Sequence, residues 1–119
     1  MLLTMLKCKL HRATVTECDL NYEGSISIDA NLIEASGLLI NERVEIYNID
    51  NGERFATYVI EGKKGSGEIG LNGAAARKAC TGDKLIICAY AAMKPKKARE
   101  FTPTVILLGK DNKVQEVKA

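Results

Sequence analysis

RVEIYNIDNGERFATYVIEG, at residues 43–62, is the stretch that indicates the fold most clearly. Two runs rich in β-branched and aromatic residues flank the dipeptide Asn51-Gly52, and such runs favour extended strands. Asn-Gly is the dipeptide preferred in type I′ hairpin turns, where both central residues need a positive φ. The stretch therefore predicts an antiparallel hairpin closed by a type I′ turn at Asn51-Gly52.

Further β-rich runs lie on both sides of this hairpin. LTMLKCKLHRATVT at 3–16 predicts a long first strand, on which Lys7, Lys9, His11 and Ala13 share one face because strand side chains alternate. KLIICAYAAM is a continuous apolar run, which is typical of a strand buried on both sides. Shorter runs that also predict strands are SISI at 25–28, IGLN at 69–72, TVILLG at 104–109 and KVQEV at 113–117.

The helical signals are few and short. Asp29 is a good N-cap for ANLIEASG, a predicted two-turn helix closed by Gly37. GAAARKACTGD predicts a helical turn that ends near Gly82, and KPKKAREF predicts a short helix or a loop. Many short strands with few helices predict a mainly β fold with short helices, and favour a closed β-barrel over a layered α/β fold. The length predicts a single domain at 1–119.

Composition excludes several classes of protein. A hydrophobic content of 46% with 27% charged residues is globular and argues against disorder. The net charge of +2 is too weak to indicate a nucleic-acid partner, although it suits an anionic substrate. No stretch approaches the roughly 20 apolar residues of a membrane span. Four cysteines without a C-x-x-C pair, together with one histidine, argue against a zinc site and predict reduced thiols in the cytoplasm.

Four separate segments hold polar residues that a plain barrel does not require. They contain Lys9 with His11, then 22–25, then Arg54 with Thr57 and Tyr58, and finally 72–75. Taken singly, each has a structural explanation, such as a solvated strand face or an ordinary turn. Arg54 and Tyr58 fall on one face of a strand and Thr57 on the other. A site that uses all three therefore needs a twist, a bulge or a subunit boundary.

Taken together and in order, these segments resemble a known family. KLHRATVT at 9–16, LNYEGSISID at 20–29, NGERFATYVI at 51–60 and LNGAAARKA at 71–79 are similar to signature segments of the aspartate 1-decarboxylases, which are pyruvoyl-dependent lyases. The resemblance implies a double-psi β-barrel, assembled as a homotetramer with active sites between subunits. It implies decarboxylation of L-aspartate to β-alanine and CO₂ for pantothenate and coenzyme A biosynthesis, with no nucleic-acid or membrane partner.

The resemblance also implies roles for particular residues. The Gly24-Ser25 bond would cleave itself into chains 1–24 and 25–119, with Thr57 and Asn72 as donors, and Ser25 would become a covalent pyruvoyl group that forms a Schiff base with the substrate. Neither a metal nor pyridoxal phosphate is implied. Tyr58 would be the proton donor, and His11 and Tyr22 would have supporting positions. The substrate-binding residues implied by the family are Lys9, Arg54, Thr57, Asn72, Gly73, Ala74 and Ala75.

Two alternatives stay open from the sequence. A non-catalytic barrel, such as a DNA-binding regulator, would use the basic segments KCKLHR and KPKKAR, but an aromatic content of 5% offers no base-stacking platform. A homologue in which Ser25 stays a serine is the second alternative. The intact mass of the purified chain separates these alternatives from a self-cleaving enzyme.

Overall fold

A computed structural model describes residues 1–118 and shows a mainly β protein with short helices, which confirms the predicted class. Its helical elements are α1 (Ala30–Ser36), α2 (Pro95–Glu100) and 3₁₀ turns at Gly73–Lys78 and Lys110–Asn112. Its strands are β1 (Leu3–Thr14), β2 (Glu17–Asp19), β3 (Ser25–Asp29), β4 (Arg43–Asn48), β5 (Arg54–Gly62), β6 (Ile69–Asn72), β7 (Lys84–Met93), β8 (Thr104–Leu108) and β9 (Val114–Lys118).

The strands form one mixed sheet in the order β2-β6-β3-β5-β4-β7-β1-β8-β9. The pairs β1–β8, β2–β6 and β3–β5 are parallel, and the other neighbours are antiparallel. The Thr16 N–H donates to the Ile69 carbonyl at 2.8 Å, so the chain leaving β1 bonds to the start of β6. Because β1 and β6 are distant in the strand order, this bond curves the sheet back on itself, as a barrel requires. The double-psi connection stays a prediction.

The core fills the inside of this curved sheet. It contains inward-facing apolar side chains from most of the strands, and Leu10, Ile26, Val44, Val59 and Ile106 are all fully buried. Each of these residues alternates with a more exposed neighbour or is buried on both sides of a central strand, as the period of two demands. Burial of each such side chain stabilises the fold by roughly 1.5–3 kcal/mol.

The central hairpin forms, but its predicted type I′ turn is wrong. β4 ends at Asn48 and β5 begins at Arg54, so five residues connect the strands. Gly52 has a φ of +77°, whereas Asn51 is not among the residues with a positive φ. The Asn48 side chain accepts from the Asp50 N–H and that of Asn51 accepts from the Glu53 N–H, at 2.9 and 2.8 Å. These side-chain bonds satisfy a longer loop that the dipeptide alone did not predict.

The face predicted for β1 is also partly wrong, because the strand contains bulges. Its pairing with β7 shifts register between Leu6 and Cys8 and again between His11 and Ala13. Arg12, inside the second shift, has a φ of +67°. The extra residue reverses the alternation, so Ala13 is completely buried instead of sharing the face of Lys9 and His11.

β7 is buried on both sides only in its middle. Cys88 and Ala89 are both buried, but Tyr90 is 38% exposed. The helix α1 is confirmed with Asp29 as its N-cap and Gly37, at φ +80°, as its C-cap. The predicted turn near Gly82 ends earlier, at Lys78. The last strand pair, β8 with β9, is confirmed.

Asp29 connects β3, α1 and the glycine-rich turn after β5. Its buried carboxylate accepts backbone N–H bonds from Asn31, Gly65 and Gly67 at 2.8, 2.9 and 2.8 Å. Burial raises the pKa of Asp29, but the three hydrogen bonds and the charge of Lys113 lower it by a larger amount. The pKa therefore lies below its usual value. One side chain therefore ties the end of the strand that begins at Ser25 to the start of α1 and to the turn after β5.

Replacing Asp29 tests this connection. Asp29→Ala is expected to lower the free energy of unfolding at neutral pH by about 2–4 kcal/mol, because three N–H groups lose their acceptor. Since the folded pKa is depressed, this stabilisation is complete above the unfolded pKa and is lost as pH falls through the folded pKa. Urea unfolding at several pH values measures it. Glu34→Ala, at an exposed acid of the same helix, is the control and should change little. A deficit that stays constant into acid would contradict the assignment.

Candidate active site

The Gly24-Ser25 bond lies where an exposed turn enters a buried strand. Gly24 is exposed, whereas Ser25 is only 1% exposed at the start of β3. Ser25 is the antiparallel partner of Asn72 at the end of β6. The Asn72 Nδ2 donates to Ser25 Oγ at 2.9 Å and to Ser27 Oγ at 3.1 Å. The serine hydroxyl is therefore held by the side-chain amide of a buried residue.

Gly73 allows the end of β6 to lie directly against this bond. Its φ is +63°, which favours glycine. A Cβ on Gly73 would lie 2.9 Å from both Cα and N of Gly24 and 3.0 Å from the Tyr22 carbonyl oxygen. Beside Gly24 lies a cavity of about 210 Å³, here called the junction pocket, which is lined by Gly24, Phe55, Ala56, Thr57, Ala74, Ala75 and Lys78.

Thr57 reaches the junction pocket because of the alternation along β5. Val59 is completely buried, so Thr57, two residues earlier, faces the same inner side, whereas Arg54 and Tyr58 face outward and are exposed. The pairing of β5 with β4 runs from Arg54 to Tyr58 without a register shift. A bulge in β5 therefore does not bring these three side chains together.

The outward-facing residues form a second group, here called the outer patch: Lys9, His11, Arg54 and Tyr58. Residues paired directly across a sheet point to the same face. The pairings place His11, Ile86, Tyr47 and Arg54 in one row, with Lys9, Cys88, Glu45 and Ala56 in the next row and Arg43 with Tyr58 in a third.

The charges of the outer patch act on the groups between them. Burial raises the pKa of the Cys88 thiol, while a hydrogen bond from Tyr90 and the charges of Lys9 and Arg54 act to lower it, which places both cations near this sulfur. Burial, followed by the charges of Lys9, Arg12 and Lys118, lowers the pKa of His11, so its imidazole is neutral at neutral pH. Lys9 and Arg54 together form a cationic surface suited to a carboxylate.

The structure thus divides the residues predicted for the site into two groups. Gly24, Thr57, Ala74 and Ala75 line the junction pocket, and Ser25, Asn72 and Gly73 adjoin it. On β5, Arg54 and Tyr58 of the outer patch lie on the face opposite Thr57. The side chain of Tyr22 is 54% exposed and lines a separate cavity with Ser27 and Asn72.

Three polar residues near these groups were not predicted: Ser27, Tyr47 and Tyr90. The ring of Tyr47 lies under the Arg54 guanidinium, with 3.9 Å from Cζ to the ring centroid, and its hydroxyl is 2.8 Å from that of Tyr90. The hairpin offered a signal for Tyr47, since a strand pair closed near Asn51 brings it opposite Arg54.

Other kinds of site find no support within residues 1–118. This part of the chain has no cluster of three or more His, Cys, Asp or Glu side chains that could hold a metal ion. None of its helices is both long and apolar enough to cross a membrane. The fold and the two groups define a class of small β proteins. Its members have a buried serine, hydrogen-bonded to a side-chain amide, directly after an exposed glycine, and a separate cationic patch.

Comparison with known proteins identifies the family within that class. The family profile described as aspartate decarboxylase matches residues 1–115. A protein of Ralstonia nicotianae named aspartate 1-decarboxylase is 56% identical over 97% of this chain and 96% of its own length. Proteins of the same name from Maricaulis maris and Clostridium beijerinckii are 58% and 56% identical, over 96% and 98% of this chain and 94% of each relative. The chain belongs to the aspartate decarboxylase family, which confirms the resemblance.

The close approach of Gly73 to Gly24 is testable by adding one methyl group. Gly73→Ala is expected to lower the free energy of unfolding by about 1–3 kcal/mol more than Gly52→Ala, because only the former pushes against a neighbouring backbone. Gly52 is the matched control, since its φ of +77° is similar and no atom lies within 4 Å of its added Cβ. Urea unfolding of the two variants measures the difference, and equal losses would show that Gly24 is not held against Gly73.

Proposed function

We propose that this protein is a carboxy-lyase that decarboxylates L-aspartate to β-alanine and CO₂, and so supplies β-alanine for pantothenate and coenzyme A. The observation that carries the proposal is 56% identity to a named aspartate 1-decarboxylase over 97% of this chain. The outer patch supports it, because a dicarboxylate substrate needs cations. The four free thiols fit a reducing cytoplasm.

The active form would arise by self-cleavage at Gly24-Ser25. Ser25 Oγ attacks the Gly24 carbonyl carbon and its proton passes to the nitrogen as the C–N bond breaks, which leaves an ester. Loss of the Ser25 α-proton then breaks the Cβ–Oγ bond and leaves a Gly24 carboxylate and dehydroalanine at position 25. Water replaces the nitrogen, which departs as ammonia, and residue 25 becomes a pyruvoyl group. The products are chains 1–24 and 25–119.

The surroundings of Ser25 fit this reaction. Gly24 has no Cβ, and apart from its two chain neighbours no atom lies within 4 Å of the Cβ position, so nothing crowds the backbone on that side. The Asn72 amide orients the hydroxyl. A cleavage half-time of hours corresponds to a barrier of roughly 23 kcal/mol. One oriented donor to the developing oxyanion supplies about 3–4 kcal/mol, against about 1–3 kcal/mol from backbone strain. We assign the donor roles to Thr57 and Asn72.

The residues around Ser25 would also hold residue 25 after cleavage. Asn72 lies opposite it in the ladder, and the turn from Gly73 to Ala75 closes the side next to Gly24. When formed, the pyruvoyl group supplies a carbonyl that withdraws electrons as the carboxylate leaves. The proposal needs neither a metal nor pyridoxal phosphate.

The outer patch would bind and protonate the substrate. L-aspartate has two carboxylates, and Lys9 and Arg54 provide two cations, of which Arg54 offers a planar fork for a bidentate contact. Tyr58 is 39% exposed. Its hydroxyl donates the proton that takes the place of CO₂ on the substrate carbon. His11 lies beside Lys9 on β1 and has a supporting role, as does Tyr22 beside the cleaved bond.

We further propose that the site forms between subunits of a homotetramer. Within one chain Thr57, which lines the junction pocket, and Arg54 and Tyr58 of the outer patch point to opposite sides of β5. A second copy whose outer patch covers the junction pocket would unite them. Leu20, Tyr22 and Tyr58 are exposed apolar or aromatic side chains close to the two groups and suit such contacts.

Removal of the nucleophile tests the self-cleavage. Ser25→Ala should give one intact chain and no L-aspartate turnover, because no hydroxyl remains to attack Gly24. Ser36→Ala, at another buried serine in α1, is the control and should be cleaved and active. Intact mass, a denaturing gel and β-alanine formation are measured. A Ser25→Ala chain that splits after residue 24 would refute the nucleophile, and an uncut wild-type chain would favour the unprocessed homologue.

Co-expression of two inactive variants tests the shared site. At an L-aspartate concentration well below the raised KM of Arg54→Ala, Ser25→Ala chains are inactive alone and Arg54→Ala chains nearly so, but together they should recover up to about a quarter of wild-type activity, because mixed oligomers contain some sites with both residues intact. β-alanine formation by the mixed oligomer, purified through a tag on each chain, measures this recovery. Chains mixed after separate assembly are the control. No recovery in mixed oligomers would place Ser25 and Arg54 of each site in the same chain.

A further inference from the structure

Arg54 has a defined resting place on the aromatic ring of Tyr47. The two residues are direct partners in the β4–β5 ladder, and Arg54 Cζ lies 3.9 Å from the Tyr47 ring centroid. A guanidinium over an aromatic face is attracted by the ring quadrupole and keeps its edge donors free. An exposed arginine otherwise samples many rotamers, so this contact selects one orientation.

The Tyr47 ring is itself held from the opposite side of β4. Its hydroxyl lies 2.8 Å from the Tyr90 hydroxyl on β7, and either oxygen can be the donor. Tyr47 on β4 pairs directly with Ile86 on β7, four residues before Tyr90. The two tyrosine side chains must therefore lean toward each other along the sheet for their hydroxyls to meet. By register Cys88 lies between them on the same outer face, where it is only 3% exposed.

Arg54 also keeps its charge available. The nearest acid of the outer face, Glu45, is opposite Ala56 in the ladder next to Arg54. Arg43 binds that acid, with its Nη2 3.1 Å from Glu45 Oε1. Within residues 1–118, Arg54 forms no ion pair of its own. A stacked arginine without an acidic partner is ready for the carboxylate of a ligand.

We propose that Tyr47 and Tyr90 are positioning residues for the substrate carboxylate. Tyr47 sets the plane of the Arg54 guanidinium, and Tyr90 fixes the Tyr47 ring through the hydroxyl bond. The inference rests on the proposed role of Arg54 in binding L-aspartate. Neither tyrosine touches the reacting atoms, so their effect is on substrate affinity and not on the chemical step.

The hydroxyl pair adds no negative charge that would compete with the substrate. The hydrogen bond with Tyr47, and then burial, raises the pKa of Tyr90 above its usual value. A raised pKa means that the phenolate forms only at higher pH than in a free tyrosine. Tyr90 is therefore neutral throughout the neutral range and places no anion beside the Tyr47–Arg54 contact.

The test separates the ring from its hydroxyl bond. Tyr47→Phe removes only the bond between the two hydroxyls, and Tyr90→Phe removes that bond and the Tyr90 hydrogen bond to Cys88; each should raise KM for L-aspartate about 2- to 5-fold. Tyr47→Leu removes the ring and should raise it about 5- to 20-fold. In all three, kcat and the cleaved fraction by intact mass should stay near wild type. The Tyr47→Phe/Tyr90→Phe double variant should match Tyr90→Phe, because the bond that Tyr47→Phe deletes is already absent in Tyr90→Phe.

Arg54 variants separate failure of this inference from failure of the proposed function. Arg54→Ala should raise KM, and Tyr47→Leu added to it should raise KM no further. If wild type does not turn over L-aspartate, or Arg54→Ala leaves KM unchanged, the proposed function or the role of Arg54 fails. If Arg54→Ala raises KM but the tyrosine variants do not, or they lower kcat instead, or their effects add, the positioning role is overturned.

Discussion

The unbroken alternation of side chains along β5 is the constraint on which the arrangement of this protein depends. The strand lies between β3 and β4, parallel to one and antiparallel to the other, so its neighbours fix both of its faces. Thr57 must then face inward when Arg54 and Tyr58 face outward. β5 thus carries residues of both groups of the candidate site, with Thr57 on one face and Arg54 and Tyr58 on the other.

The surroundings of the Gly24-Ser25 bond depend on two adjacent residues with different roles. Asn72 supplies the amide that holds Ser25 Oγ, and Gly73 supplies the missing side chain that lets the backbone pass against Gly24. The outer patch depends on strand register, because the ladder between β7, β4 and β5 stacks Arg54 on Tyr47 and leaves Glu45 to Arg43. Pairing between strands far apart in the chain builds both, through β3 with β6 around Ser25 and through β7 with β4 around Tyr47.

Features set by neighbouring residues could be predicted from the sequence. The helix between Asp29 and Gly37 follows from its own caps, and each β-rich run forms a strand. The turn at Asn51-Gly52 was mispredicted because Asn48 and Asn51 bond the loop backbone through their side chains. Ala13 was placed on the wrong face because no local pattern signals the bulge at Arg12.

The candidate site shows the same division. Ser25, Arg54 and Asn72 were found because segments far apart in the chain resemble one family in the same order. Tyr90 was missed because its contact with Tyr47 depends on how β4 pairs with β7, and no short stretch of sequence contains that register.

The position of Ser25 between turn and strand has a consequence for a cut chain. Residues 1–24 include β1, which is enclosed between β7 and β8, and β2, which lies beside β6. A break before residue 25 removes no ladder, so both pieces would stay assembled as one body. Renaturation after denaturant would then be a second-order encounter between two polypeptides, slower in dilute solution, whereas the uncut precursor would refold at a rate independent of dilution.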